Sequence, residues 1–224
     1  MGTAKRTAVL VHGCHLQADL NGKSWEDIVW GGDVPTLEGR GTMAAKIALE
    51  CEAELIIFST GASERDGLKE GAYTYEYVRQ HTGAVADAIG VSGNRLAAFM
   101  LDRAETDLES QNTREECARN FTICVARGIE RVILVSSPWH IQRCHTEALK
   151  VADEMRRAGK DVPELVAMAS HGGTEGVVVL EPPHRGDRPK TRFHEVVPRF
   201  FRVPAHQQER FLGGVEALLS GQGA

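Results

Sequence analysis

Hydrophobic and polar positions alternate in blocks along this chain. Short β-branched apolar runs are each followed by a longer stretch with apolar residues three and four apart. The runs read as strands: Thr7–Val11, Leu55–Phe58, Val132–Val135 and Leu165–Met168, with Ala-rich Leu96–Met100 a weaker candidate and Val177–Leu180 a sixth. They are continuously apolar rather than alternating, the pattern of strands covered on both faces in a parallel sheet. The amphipathic stretches Met43–Glu54, Leu68–Ala88, Thr113–Arg127 and Pro138–Arg157 read as helices, with a last one at Gln207–Leu219. In Thr113–Arg127 the apolar stripe is Cys117, Phe121 and Cys124; in Pro138–Arg157 it is Ile141, Cys144, Ala148, Val151 and Met155. Strand–helix alternation of this kind predicts βαβ units with right-handed crossovers, hence an α/β fold with a mostly parallel sheet of about five strands.

Two long loops interrupt the pattern. Residues 12–41 hold six glycines and two tryptophans, and residues 170–190 hold Gly172–Gly173 and Pro182–Pro183. Loops of that length in compact domains commonly line binding sites. The whole chain, 1–224, is expected to be one α/β domain, with the C-terminal strands and helices in residues 150–224.

Composition narrows the class. The formal net charge is -5, which argues against a nucleic-acid binder. A small anion remains compatible, because one helix N-terminus and one arginine suffice to hold it. The five cysteines are odd in number and form no CxxC pair, the usage of a reduced, cytoplasmic protein. No apolar run approaches the length of a membrane span. There is no GxxxxGK[ST], GxGxxG after a strand, GxSxG or HExxH. Their absence disfavours P-loop NTPases, Rossmann dehydrogenases, α/β-hydrolases and zincins.

Four segments carry candidate chemistry. The sharpest is the strand end Ser136–Ser137 with the helix start after it. Ser137 is expected to cap that helix, with Pro138 at its first position. His140 and Arg143, three apart, would share a face: Arg143 to grip a phosphate or carboxylate, His140 to donate to it or act as acid–base. The second segment is Asp107, Ser110, Asn112, Thr113, Glu115 and Glu116. Thr113 and Glu116 match a capping box, which leaves Asp107 and Glu115 as candidate bases or ligands of hydrated Mg²⁺. Third, Ser59, Thr60 and Gly61 form a turn after the second strand and offer hydroxyls to an anion, with Glu70 opening the next helix. Fourth, His12, Gly13, Cys14 and His15 follow the first strand as pocket-lining residues, with His171 a possible spatial neighbour. Zinc at that cluster ranks below plain pocket lining, and the metal is left unknown.

Taken together, these segments resemble the YdcF/SanA/ElyC-like family, long labelled a domain of unknown function. The matching places are the strand and loop Val9–Gly13, the turn Ser59–Gly61 with Glu70–Ala72, the series Asp107 to Glu116, and Ser136–Ser137 with His140 and Arg143. Order and spacing agree over about residues 7–150. Thr60 stands where the family has glycine, Glu116 where it usually has asparagine, and His12 and His15 occupy its glycine-rich turn. The resemblance implies a Rossmann-like three-layer sandwich with the four motifs converging at one sheet edge. One branch of the family is associated with S-adenosylmethionine binding and others with envelope maintenance.

Two functions are carried forward. One is an enzyme acting by hydrolysis or group transfer on a small phosphorylated or nucleotide-like molecule. In it His140, Glu115 and Asp107 do the chemistry, Ser59, Thr60, Gly61, Glu70, Ser110, Asn112, Thr113, Ser136, Ser137 and Arg143 bind the anionic substrate, and Mg²⁺ is an open cofactor. The other is a non-catalytic module for S-adenosylmethionine or a nucleoside. Convergence of Asp107, Glu115 and His140 on one point would favour the enzyme.

Overall fold

The computed structural model describes residues 5–17 and 22–170. Five parallel strands form the main sheet: β1 (Thr7–Val11), β2 (Leu55–Ser59), β5 (Ala104–Asp107), β6 (Arg131–Ser136) and β7 (Glu164–Ala169). Their spatial order is β5-β2-β1-β6-β7. A two-stranded antiparallel hairpin, β3 (Glu64–Arg65) and β4 (Leu68–Lys69), stands apart from it.

Alternation along each central strand divides the core in two. Val9, Val11, Ile56, Phe58, Ile133 and Val135 face one side, where they meet α1 (Trp25–Val29), α2 (Arg40–Glu50), α3 (Glu70–Gln80), α4 (Thr82–Ile89) and α5 (Gly93–Arg103). Ala8, Leu10, Leu55, Ile57, Val132 and Leu134 face the other, against α6 (Thr113–Ala126) and α7 (Ile141–Arg157). A central strand apolar at every position is therefore one whose two faces each bury half of its side chains. The result is a Rossmann-like three-layer sandwich.

Several expectations shift. Leu96–Met100 is not a strand but part of α5. Ser92 caps that helix by accepting from the Arg95 N–H, and the buried Leu96 and Met100 lie one turn apart. The third strand along the chain to join the sheet is instead β5, at one edge, whose sequence Ala-Glu-Thr-Asp has no apolar run. The single helix expected over Leu68–Ala88 is the hairpin strand β4 followed by α3 and α4, separated at His81. The loop 12–41 contains α1, closed by a capping box between Ser24 and Asp27. The strand at Val177–Leu180, the helix at Gln207–Leu219 and His171 lie outside the described residues.

Register places the site. Val11 pairs with Phe58 and Val135, and Ser59 with Asp107. The strand ends are level, so His12, Thr60, Leu108 and Ser137 emerge along one edge. β1 and β6 are neighbours whose crossovers leave in opposite directions. Their carboxyl ends therefore form the topological switch point, where open α/β sheets hold ligands.

Candidate functional site

Four loops meet at this edge, and buried polar side chains tie them together. Immediately after β1, His12 is 1% exposed and its Nδ1 lies 2.5 Å from Glu116 Oε2 on α6. Burial alone would push this imidazole down. The Cys144 thiol and the Glu116 carboxylate outweigh it and raise His12 to about 10. Cys144 does not reach hydrogen-bond geometry with Nε2, so the close Glu116 carboxylate is the partner we hold responsible.

The next residues of that loop are held by Glu70 at the start of α3. Its Oε1 accepts the Cys14 N–H at 2.5 Å; its Oε2 accepts the His15 N–H at 2.9 Å and the Ser63 hydroxyl at 3.0 Å. Burial raises the Glu70 carboxyl to about 7; the two N–H groups and Ser63 pull it down, and Glu116 pushes it up. A glycine is required at position 13, because a Cβ there would press on Thr60 Cγ2, Glu70 Oε1 and the Ser59 carbonyl.

A pH dependence follows. Glu70 holds its proton more tightly in the fold than in the unfolded chain, so the stabilisation linked to that proton is complete below about 4.5 and lost as pH rises through about 7. A shift of that size corresponds to roughly 3 kcal/mol. Glu70→Gln does not titrate. The stability of the wild type relative to Glu70→Gln, read by urea unfolding, is expected to fall between pH 4.5 and 8. A difference constant with pH would refute the assignment.

After β2, the Ser59–Thr60 peptide is cis. The Thr60 hydroxyl donates to the Ser110 carbonyl, and the Gly61 N–H donates to the same oxygen at 2.9 Å. Ser59 Oγ accepts from Asn120 Nδ2 at 3.1 Å. Asp107, at the end of β5, is consumed by its own turn. It accepts from the backbones of Glu109 and Ser110, from the Ser110 hydroxyl at 2.5 Å and from Asn120 at 3.2 Å.

The α6 cap sits one residue earlier than the sequence pattern suggests. Asn112 is the cap, and its Oδ1 accepts the Glu115 N–H at 3.0 Å. Glu115, exposed, returns its carboxylate to the Gln111 N–H and to Asn112 Nδ2, each at 2.8 Å. Glu115 thus closes a cap, and Glu116, expected to do so, is the carboxylate that enters the site.

At the fourth segment α7 begins at Ile141, after a turn spanning residues 138–140. Pro138 therefore precedes the helix. Ser137 does not cap it, because its Oγ accepts from Arg40 Nε at 3.1 Å. His140 takes the cap position without a side-chain cap bond. Its Nδ1 is 3.0 Å from Ser136 Oγ; its Nε2 is 2.9 Å from Arg143 Nη2 and 3.4 Å from Thr113 Oγ1. A guanidinium only donates, so Nε2 is the acceptor and Nδ1 carries the proton toward Ser136. The His140 and His12 rings are 6.1 Å apart, edge to face.

No family model, curated protein or solved structure matches this chain. The site's geometry therefore bears the functional reading.

Of the predicted residues, His12, Gly13, Cys14, His15, Glu70, Thr113, Ser136, Ser137, His140 and Arg143 lie in the network around the switch point. Ser59, Thr60, Gly61, Asp107 and Ser110 form a second network at β2 and β5, and Asn112 and Glu115 the α6 cap. Asp107 and Glu115 do not converge with His140. Among the described residues no cluster of three or more His, Cys, Asp or Glu could hold a metal ion, and no helix is long and apolar enough to cross a membrane. Sequence reasoning missed Arg40, which is fully buried and donates to the His12 and Gly13 carbonyls at 3.0 and 2.7 Å. Its signal was an arginine opening an otherwise apolar helical stretch.

Proposed function

We propose that this chain is an enzyme acting on a small phosphorylated or nucleotide-like molecule, by hydrolysis or group transfer, at the switch point between β1 and β6. The observation that carries the reading is His140, held in one tautomer between Ser136 and Arg143, 6.1 Å from a second histidine paired with a carboxylate. Histidine is the usual acid–base group near neutrality, and an acceptor Nε2 is the form that takes a proton. Arg143 would engage the anionic group. Transferring its donation from His140 to the substrate would leave Nε2 available to the reacting proton.

The joining of all four motif segments along one edge supports membership of the YdcF/SanA/ElyC-like family. His12 and Glu116, both departures from the family's pattern, are each other's partners. All five cysteines are free, which supports a reducing, cytoplasmic setting.

One observation favours the second reading, a non-catalytic S-adenosylmethionine or nucleoside module. The two acids expected as bases, Asp107 and Glu115, are committed to a turn and a cap.

A thermal-shift panel of nucleotides, sugar phosphates and S-adenosylmethionine, with and without Mg²⁺, separates the two. A ligand at ~100 times its Kd stabilises by ~2.7 kcal/mol. The expected result is a shift with a phosphorylated compound that Arg143→Ala abolishes, with turnover that His140→Asn reduces by about 10²-fold or more. A shift with S-adenosylmethionine alone, without turnover, would install the binding module instead. A panel with no shifts would overturn both.

A further inference from the structure

Arg40 stands at an unusual place electrostatically. It opens α2, the eleven-residue crossover helix that follows β1, so that helix N-terminus points at the switch point. The cap residue, Gly39, supplies no side-chain acceptor to the first turn. Arg40 itself is 0% exposed. Its Nε and Nη1 donate to three oxygens, Ser137 Oγ, His12 O and Gly13 O, and all three are neutral. Its Nη2 is buried with no acceptor, and the guanidinium forms no ion pair among the described residues. The nearby carboxylates are engaged elsewhere: Glu116 with His12, Glu70 with the Cys14 and His15 N–H groups.

A strut between the β1 loop and the β6 turn would account for Nε and Nη1. It accounts neither for the free Nη2 nor for the charge. Fully buried arginines are almost always paired, because an uncompensated charge in a low dielectric is costly. A helix N-terminus adds positive potential at the same spot. Both features ask for the same thing, a compact anion with oxygens for Nη2 and for backbone N–H groups.

We propose that Arg40, together with the N-terminus of α2, seats a tetrahedral oxyanion, the phosphate group of the ligand, between the β1 loop and the Ser137 turn. The inference rests on the proposed function and deepens it: Arg40 seats one phosphate group, and Arg143 engages a second anionic group of the substrate beside His140.

The test uses the full chain with inorganic phosphate and sulfate, titrated against chloride at matched ionic strength. Melting temperature and calorimetry are the readouts, on the wild type, Arg40→Lys, Arg40→Met and the exposed-arginine control Arg95→Ala. The wild type is expected to show a saturable, phosphate-specific rise in melting temperature. Arg40→Met should weaken apparent affinity by about tenfold or more, the size of one lost charge-assisted bond. Arg40→Lys, which keeps the charge but loses the Nη2 donor, should fall between them, and Arg95→Ala, an exposed arginine on α5, should match the wild type. No phosphate-specific effect in the wild type would overturn the proposal, as would equal affinity in the wild type and Arg40→Met. If Arg40→Met does not fold, Arg40→Lys binding phosphate as tightly as the wild type would overturn it. Phosphate binding that depends on Arg40, with no hit in the organic panel, would keep this inference and sink the enzyme reading. Panel hits that need Arg143 and ignore Arg40 would do the reverse.

Discussion

Gly61→Ala is expected to destabilise the chain strongly. A Cβ at position 61 would be driven onto the carbonyl carbon and oxygen of Leu108, with the Glu109 N at 3.0 Å. These are backbone atoms, and they have no room to yield. Asp107 clamps their turn by accepting from the Glu109 and Ser110 N–H groups, each at 3.1 Å. On the other side, Gly61 is fixed by its own N–H bond to the Ser110 carbonyl. Overpacking typically costs about 1–3 kcal/mol where side chains can adjust. Here the obstruction is main chain, so a loss of about 3 kcal/mol or more is expected. Gly83→Ala is the control: the same methyl group, in α4, meets nothing within 4 Å. It should be neutral or stabilise by up to about 1 kcal/mol. Urea midpoints of the three chains decide the matter. A Gly61→Ala midpoint equal to wild type would mean that the 107–110 turn is not rigid.

The chain announces its central strands plainly because strands buried on both faces contain no polar position. β1, β2, β6 and β7 fall where apolar runs occur. β5 does not, because Ala104–Asp107 carries two acids in four residues; the opposite edge strand, β7, keeps its apolar run, so edge position alone does not decide the pattern. The Ala-rich run just before it attracted the assignment instead; short apolar runs do not separate strand from helix by period alone. Spatial order is likewise absent from local pattern. That β1 and β6 are neighbours, and so that His12 lies near His140, depends on crossovers that local pattern does not reveal. The cap of α6 shows how fine the remaining ambiguity is. Asn112 and Thr113 are both competent caps. Successive helical residues point about 100° apart. Moving the cap by one residue therefore exchanges the fates of Glu115 and Glu116, one reaching back to the cap and the other turning inward to His12.

That exchange sets the second large effect. Glu116→Ala is expected to cost about 3–5 kcal/mol near neutral pH, the range for breaking one side of a buried ion pair. The partner left behind, His12, is 1% exposed and cannot turn to water. Glu115→Ala removes only a solvent-exposed contribution to a cap and should cost about 1 kcal/mol. The pH dependence supplies a check that a merely structural loss would not pass. His12 is raised to about 10 from 6.5. Its stabilisation is therefore complete below about 6.5 and lost as pH rises through about 10. Without the carboxylate, burial returns the imidazole toward its neutral form and most of that dependence disappears. The Glu116→Ala penalty should consequently shrink between pH 6.5 and 10, while the Glu115→Ala penalty stays flat. In a double-mutant cycle, His12→Ala and Glu116→Ala should be non-additive by about 0.5–3 kcal/mol. A Glu116→Ala penalty as small as that of Glu115→Ala, and equally insensitive to pH, would show that the inward carboxylate and His12 do not form a charged pair.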